Sequence, residues 1–194
     1  MQKTKLTKNT DVKEVLKLGH PCKCNACSVG CKHGSGFLAD DDIPKLARFM
    51  NISEDVLKKE FLEEVEKFNT KKHRPKILRK DKPYGKCVFF DEGDKQPIKD
   101  GLHDPTHLPS NPPRCKIHEA KPLECKIAMG CKDYGEQLSI WFMLNHFVNK
   151  NDAESVRQFA SYLKSGGKTL EGAELNDLVP DKEKLKKILS FEIR

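Results

Sequence analysis

Apolar residues recur along most of the chain at the spacing of three to four residues that is typical of a helix. Val12, Val15 and Leu16 predict a short helix that ends before Gly19. The other predicted helices cover residues 41–50, 53–68, 137–148, 152–165 and about 181–190. Helix therefore dominates the prediction.

Residue types that favour helix N-termini precede these apolar stretches. Asp41 or Asp42 is expected to cap one helix, with Pro44 in its first turn, where a missing N–H costs little. Ser53 is expected to cap the next helix, and Asp152 a later one. These caps predict where the helices begin.

Two short apolar segments predict strands instead of helices. They are Cys87–Val88–Phe89–Phe90 and Cys115–Lys116–Ile117–His118, separated by a predicted loop over residues 91–114 that contains five prolines. The block from Cys22 to Cys31 is rich in small and turn-forming residues and is predicted to be a loop. The expected fold class is α-rich α+β, with helices around a small β-hairpin and cysteine-rich loops organised by a metal centre.

Three parts are expected along the 194 residues. Residues 1–19 form an N-terminal helix, residues 20–131 a cysteine-cluster metal-binding domain, and residues 132–194 a helical extension that packs on it.

The eight cysteines change this picture most. The N-terminal sequence MQKTKLTKNTDVKEV has no apolar signal region, and no apolar run is long enough to span a bilayer. We therefore expect a cytoplasmic location and no membrane partner. In reducing surroundings, clustered cysteines indicate metal or redox chemistry more than disulfides.

The cysteine spacing is that of a metal site. Cys24-x2-Cys27 is a short loop that can bring two thiolates to one ion, and Cys31 follows three residues after Cys27. Cysteines in separated segments can complete such a site; these are Cys87, Cys115 and Cys125. Cys87 alone fits a buried hydrophobic residue equally well.

The order of these motifs resembles the CxxCxxCC cysteine-cluster family, also called the YkgJ-type family, which is described as zinc- or iron-chelating. The resemblance covers roughly residues 22–128: the cysteine block, the Asp-initiated helix, Cys87 with its apolar residues, and CKIHEAKPLEC. The chain departs from the family pattern at Gly30, where a cysteine is usual, and at Lys121, where arginine precedes the proline.

The resemblance implies six ligands, which are Cys24, Cys27, Cys31, Cys87, Cys115 and Cys125. Cys22 and Cys131 are additional candidates, and either can replace the cysteine missing at Gly30. All-sulfur ligation suits both Zn²⁺ and an iron–sulfur cluster. Relatives fused to flagellin lysine methylases are thought to carry a cluster, which favours [4Fe–4S].

Three functions follow in order of preference. The first is a metal-binding protein, holding a cluster or zinc, whose protein partner the sequence does not indicate. The second is an iron–sulfur oxidoreductase or the metal-containing subunit of a modifying enzyme, although no catalytic motif beyond the cysteines supports an enzyme. The third is a zinc-stabilised nucleic-acid module, suggested by a net charge of +7 and a basic stretch from Lys71 to Lys86. Because Tyr84 is the only aromatic residue in that stretch, nucleic acid is disfavoured as a partner.

Overall fold

The computed structural model describes residues 5–19, 26–79, 84–93, 98–99, 102–103, 113–127, 134 and 136–193. For residues 26–29, 98–99 and 102–103 it describes the backbone only. Cys22, Cys24 and Cys131 lie outside the described residues, and so does the side chain of Cys27.

Along the described chain, a run of short antiparallel strands stands between two groups of helices, so the α+β prediction is confirmed. The helices are α1 (Val12–Leu18), α2 (Ala26–His33), α3 (Asp42–Met50), α4 (Glu54–Val56), α5 (Leu123–Ile127), α6 (Gln137–His146), α7 (Ala153–Lys164), α8 (Leu175–Leu178) and α9 (Lys182–Leu189). A π-helical turn, Leu57–Phe61, continues α4. Among the helices of the described residues, none has the length and apolar character needed to cross a bilayer.

The strands form two-stranded antiparallel sheets rather than one hairpin. They are β1 (Leu62–Lys67), β2 (Thr70–Pro75), β3 (Ile77–Leu78), β4 (Lys86–Cys87), β5 (Phe90–Asp91), β6 (Ile98–Lys99), β7 (Leu102–His103) and β8 (Arg114–Cys115). The pairs are β1 with β2, β3 with β4, β5 with β8, and β6 with β7.

The predicted helix caps are largely confirmed. The side chain of Ser53 accepts a hydrogen bond from the backbone N–H of Val56, and that of Asp152 accepts from Glu154 and Ser155. Asp41 occupies the cap position of α3, but its side chain makes no capping hydrogen bond. Short polar side chains thus fix most helix starts, as the sequence indicates.

The helix predicted over residues 53–68 is wrong beyond Phe61. The chain turns into the β1–β2 hairpin there, with Phe68 and Asn69 in the left-handed conformation at φ 49° and 53°. Opposite charges face each other across the strands, and Arg74 Nε donates to Glu63 Oε1 at 2.7 Å. Cross-strand pairing therefore outweighs the helical spacing of the apolar residues in this segment.

Three further segments differ from their predictions. The strand predicted over Cys115–His118 ends at Cys115, where β8 gives way to a turn. The strand predicted from Cys87 to Phe90 is divided by a turn at residues 88–89 into β4 and β5. The block from Cys22 to Cys31 was predicted to be a loop, but its second half is helical, and Cys27 and Cys31 belong to α2. This segment contains no proline, and α2 packs on β4, β5 and β8, which gives it a tertiary partner.

Apolar side chains form two clusters in the described residues. The smaller core contains Leu38, Leu46, Ala47, Leu57, Leu62, Cys87, Phe89, Phe90 and Ile117, and Cys31 and Cys115 pack against it. The larger core joins α1 to the C-terminal helices through Val15, Leu138, Phe142, Leu144, Phe147, Val156, Phe159 and Ile188, with other residues. Cys31, Cys87 and Cys115 thus belong to the smaller core.

Candidate metal centre

Cys87 lies at the end of β4 and is buried, with 6 % of its surface exposed. The pKa of its thiol is raised to about 12, mainly by burial and to a smaller extent by the neighbouring thiols of Cys31 and Cys115. The backbone N–H groups of Phe89 and Phe90 act in the opposite direction, because a donor aimed at sulfur stabilises the thiolate. The turn after Cys87 thus supplies hydrogen bonds to its own sulfur.

Cys115 has the same local geometry. It ends β8, lies opposite Phe90 in the β5–β8 pair, and is followed directly by a turn. Burial raises the pKa of its thiol, while the backbone N–H of Ile117 and the charge of Lys121 lower it. In both segments the amide two residues after the cysteine is directed at the sulfur. An amide in this position favours a thiolate, which is the form that binds a metal.

Cys31 belongs to α2 and lies near Cys87. The helix contacts β4, β5 and β8, which carry or adjoin Cys87 and Cys115. Cys31 itself is half-buried against the smaller core. Cys27 lies four residues earlier in the same helix.

Cys125 completes the group from α5. Burial raises the pKa of its thiol well above the ordinary value, and Cys87, Cys31 and Glu124 raise it further. The backbone N–H of Gly36 donates to the sulfur and lowers the pKa. Four segments distant in sequence therefore bring thiols within electrostatic range of one another, and none of these four described cysteines forms a disulfide.

The buried carboxylate of Asp42 attaches α5 to the rest of the site. Its Oδ2 accepts hydrogen bonds from the backbone N–H groups of Ala39 and Leu123, each at 2.8 Å. Leu123 is the first residue of α5, so Asp42 caps a helix that lies 81 residues away in sequence. This cap positions the helix that carries Cys125.

Glu124 makes a second attachment beside the first. Its Oε2 accepts a hydrogen bond from the backbone N–H of Phe37 at 2.6 Å. Burial raises the pKa of the Glu124 carboxyl to about 7, and the Phe37 N–H and the charges of Lys67 and Arg74 oppose the rise. The two carboxylates together hold residues 37–39 against α5.

The four cysteine side chains have the chemistry needed to bind a metal as thiolates. Soft sulfur ligands from separated segments are what zinc and iron–sulfur sites use. No three His, Cys, Asp or Glu side chains in the described part of the chain are placed closely enough to hold a metal ion together. The thiols of Cys31, Cys87, Cys115 and Cys125 thus share one region without closing on a single point.

The structure brings together four of the six predicted ligands. The remaining two, Cys24 and Cys27, and the additional candidates Cys22 and Cys131 fall outside the described side chains. The groups that support these cysteines were not predicted as part of the site; they are Gly36, Asp42, Glu124 and the amides of Phe89 and Ile117. Only Asp42 gave a signal, as a predicted helix cap, and its role proved to be the cap of a different helix.

The basic stretch that suggested nucleic-acid binding is largely neutralised within the fold. Carboxylates pair with cations along β2 and after it; the pairs are Lys71–Glu64, Lys72–Asp40, Arg74–Glu63, Arg79–Glu63 and Lys86–Glu92. Paired cations attract phosphates less strongly than unpaired ones do. A nucleic-acid module stays a prediction that these contacts do not favour.

Comparison with protein-family models, curated proteins and solved structures gave no match. The resemblance to the CxxCxxCC family therefore stays a prediction. The functional conclusion depends on the site itself.

Gly36 is expected to be essential because its backbone approaches Cys125 closely. A Cβ added at Gly36 would lie 2.9 Å from the Sγ of Cys125 and 3.0 Å from its backbone nitrogen. We expect Gly36→Ala to displace Cys125 and to reduce bound metal several-fold. Metal content per chain measures this effect.

Gly34→Ala is the matched control, since a Cβ there meets no atom within 4 Å. It should retain the metal content of the parent protein. Equal metal content in the two variants would show that the approach of Gly36 to Cys125 is unimportant for the site.

Proposed function

We propose that this chain is a metal-binding protein whose thiolates hold an iron–sulfur cluster or Zn²⁺. The observation that carries the proposal is that the thiols of Cys31, Cys87, Cys115 and Cys125 lie in one region, although they come from α2, β4, β8 and α5. Cys24 and Cys27, in or beside α2, are the further proposed ligands.

The local hydrogen bonding supports the proposal. Without a metal, the thiols of Cys87, Cys115 and Cys125 would remain protonated, because burial raises the pKa of each of them. The backbone N–H groups that donate to Cys87, Cys115 and Cys125 stabilise the thiolate form of each sulfur. A buried thiolate also needs a nearby cation to balance its charge. A bound metal supplies that positive charge and deprotonates the thiols outright.

The spacing of the thiols favours a cluster over a single ion. The thiols influence one another, yet no three described ligands converge closely enough for one metal ion. A [4Fe–4S] cluster spreads its thiolates over four iron atoms and so accommodates wider separations than one zinc ion does. When bound, it would supply one-electron redox chemistry or a structural crosslink.

Anaerobic purification tests the proposal, with iron, zinc and acid-labile sulfide measured on the same sample as the ultraviolet–visible spectrum. We expect iron and sulfide in about equal amounts and an absorption band at about 400 nm, as thiolate-held clusters give. Stoichiometric zinc with a colourless protein would support the zinc form. A protein that stays metal-free after reconstitution with either metal would refute the proposal.

A further inference from the structure

An open groove of about 520 Å³ lies between α3 and the segment that joins Cys115 to Cys125. Its lining residues are Asp42, Lys45, Arg48, Phe49, Glu119, Ala120, Lys121 and Lys126. From the charges and apolar surface of this groove, we infer that it is the docking site for an acidic peptide segment of a partner protein. This inference goes beyond metal binding and holds for either metal.

The charge of the groove is the first argument. Four cations line it, and among the described residues none of the four takes part in an ion pair. Two carboxylates oppose them, which are Glu119 and the buried Asp42 with its two backbone N–H donors, so the lining keeps a net positive charge. Like charges held together in a concave surface attract an anionic ligand.

The contrast with the basic hairpin strengthens this argument. There Lys71, Lys72 and Arg74 each have a carboxylate partner within the fold. Lys45 and Arg48 are three residues apart on α3, so they lie next to each other on one exposed face of the helix. The groove therefore keeps cations available where the hairpin does not.

The apolar part of the groove indicates a peptide rather than a nucleic acid. The side chain of Phe49 is 45 % exposed, and Ala120 lies on the wall. One apolar anchor surrounded by cations suits a short segment with an apolar side chain among Asp or Glu residues. A nucleic-acid strand needs a longer track of cations and several stacking residues.

The groove lies beside the chain segment that carries Cys115 and Cys125. Lys126 follows Cys125 directly, and Glu119, Ala120 and Lys121 belong to the segment between Cys115 and Cys125. A bound segment would lie along the chain that carries two of the thiols. The partner would therefore be held next to the proposed metal centre.

Fluorescence anisotropy with a fluorescein-labelled, glutamate-rich peptide containing one leucine tests the inference on the metal-loaded protein. We expect saturable binding that weakens as salt is added, because exposed charges are screened. The same peptide with glutamine in place of glutamate should not bind. Equal binding of both peptides would overturn the inference.

Charge reversal locates the binding to the groove. The double variant Lys45→Glu and Arg48→Glu should raise the peptide Kd about tenfold or more. The control is Lys184→Glu with Lys187→Glu, which changes the net charge equally at two exposed positions three residues apart on α9. It should bind like the parent protein, and equal weakening in both double variants would overturn the assignment.

Two further outcomes decide the matter. If a single-stranded oligonucleotide binds more tightly than the peptide and the α3 variant abolishes this binding, the groove is a nucleic-acid site and the inference is wrong. If the α3 variant fails to fold, peptide binding is measured in the single variant Lys121→Gln instead. No loss of affinity in that variant would equally overturn the inference.

Discussion

Replacing Cys87 with alanine is expected to abolish stoichiometric metal binding. Cys87 is the most central of the four thiols, because its pKa responds to Cys31 and Cys115, and it in turn raises the pKa of Cys125. Without its sulfur, the site loses the thiol that lies near Cys31, Cys115 and Cys125. Metal per chain after anaerobic reconstitution is the measurement.

The alternative is that Cys87 acts only as a small buried hydrophobic residue. In that case the alanine variant would lose about 1 kcal/mol of unfolding free energy and keep its metal. Leu57→Ala is the control, since Leu57 is fully buried in the same smaller core. It should cost about 2–5 kcal/mol in stability while the folded protein retains its metal stoichiometry. Full metal content in Cys87→Ala would contradict the proposed site.

Replacing Asp42 with alanine is expected to have the second-largest effect. It leaves the buried N–H groups of Ala39 and Leu123 without an acceptor, at a cost of about 1–3 kcal/mol for each. We therefore expect a loss of about 3 kcal/mol in the unfolding free energy of the metal-free protein. Urea denaturation monitored by circular dichroism measures it.

The same change should weaken metal binding about tenfold or more, because α5 carries Cys125 and loses its cap. Asp42→Asn is the matched control. Both hydrogen bonds reach a single oxygen of Asp42, so the asparagine amide oxygen can accept both. If the alanine and asparagine variants lose metal to a chelator at the same rate, the carboxylate acts through its charge and not as the cap described above.

The helices could be predicted where apolar periodicity and a polar cap agree. Asp152 before α7 is such a case, and the side chain of Ser53 confirms the start of α4. The same periodicity failed over residues 62–68, because Leu62 and Phe68 are buried there while Val65, halfway between them, is only half-buried. Charge pairs between strands decided the outcome, and they depend on a register that the sequence pattern does not reveal.

The cysteine ligands of the candidate site could be predicted from the sequence, but the residues that position these ligands could not. Cysteine spacing and the family resemblance are enough to name Cys31, Cys87, Cys115 and Cys125 as candidate ligands. The position of Gly36 against Cys125 follows from a contact between residues 89 apart in sequence, which no local pattern reports. The cap that Asp42 provides for α5 is also a long-range contact, although a local rule correctly marked Asp42 as a residue near a helix start.

X-ray absorption spectroscopy at the edge of the bound metal tests the central claim most directly, which is that thiolates alone hold the metal. The account predicts a first shell of about four sulfur atoms at about 2.3 Å, the usual metal–thiolate distance. For an iron–sulfur cluster, a second shell of iron neighbours should accompany it. A first shell dominated by nitrogen or oxygen would contradict the account, because the metal would then be bound elsewhere than at the four gathered cysteines.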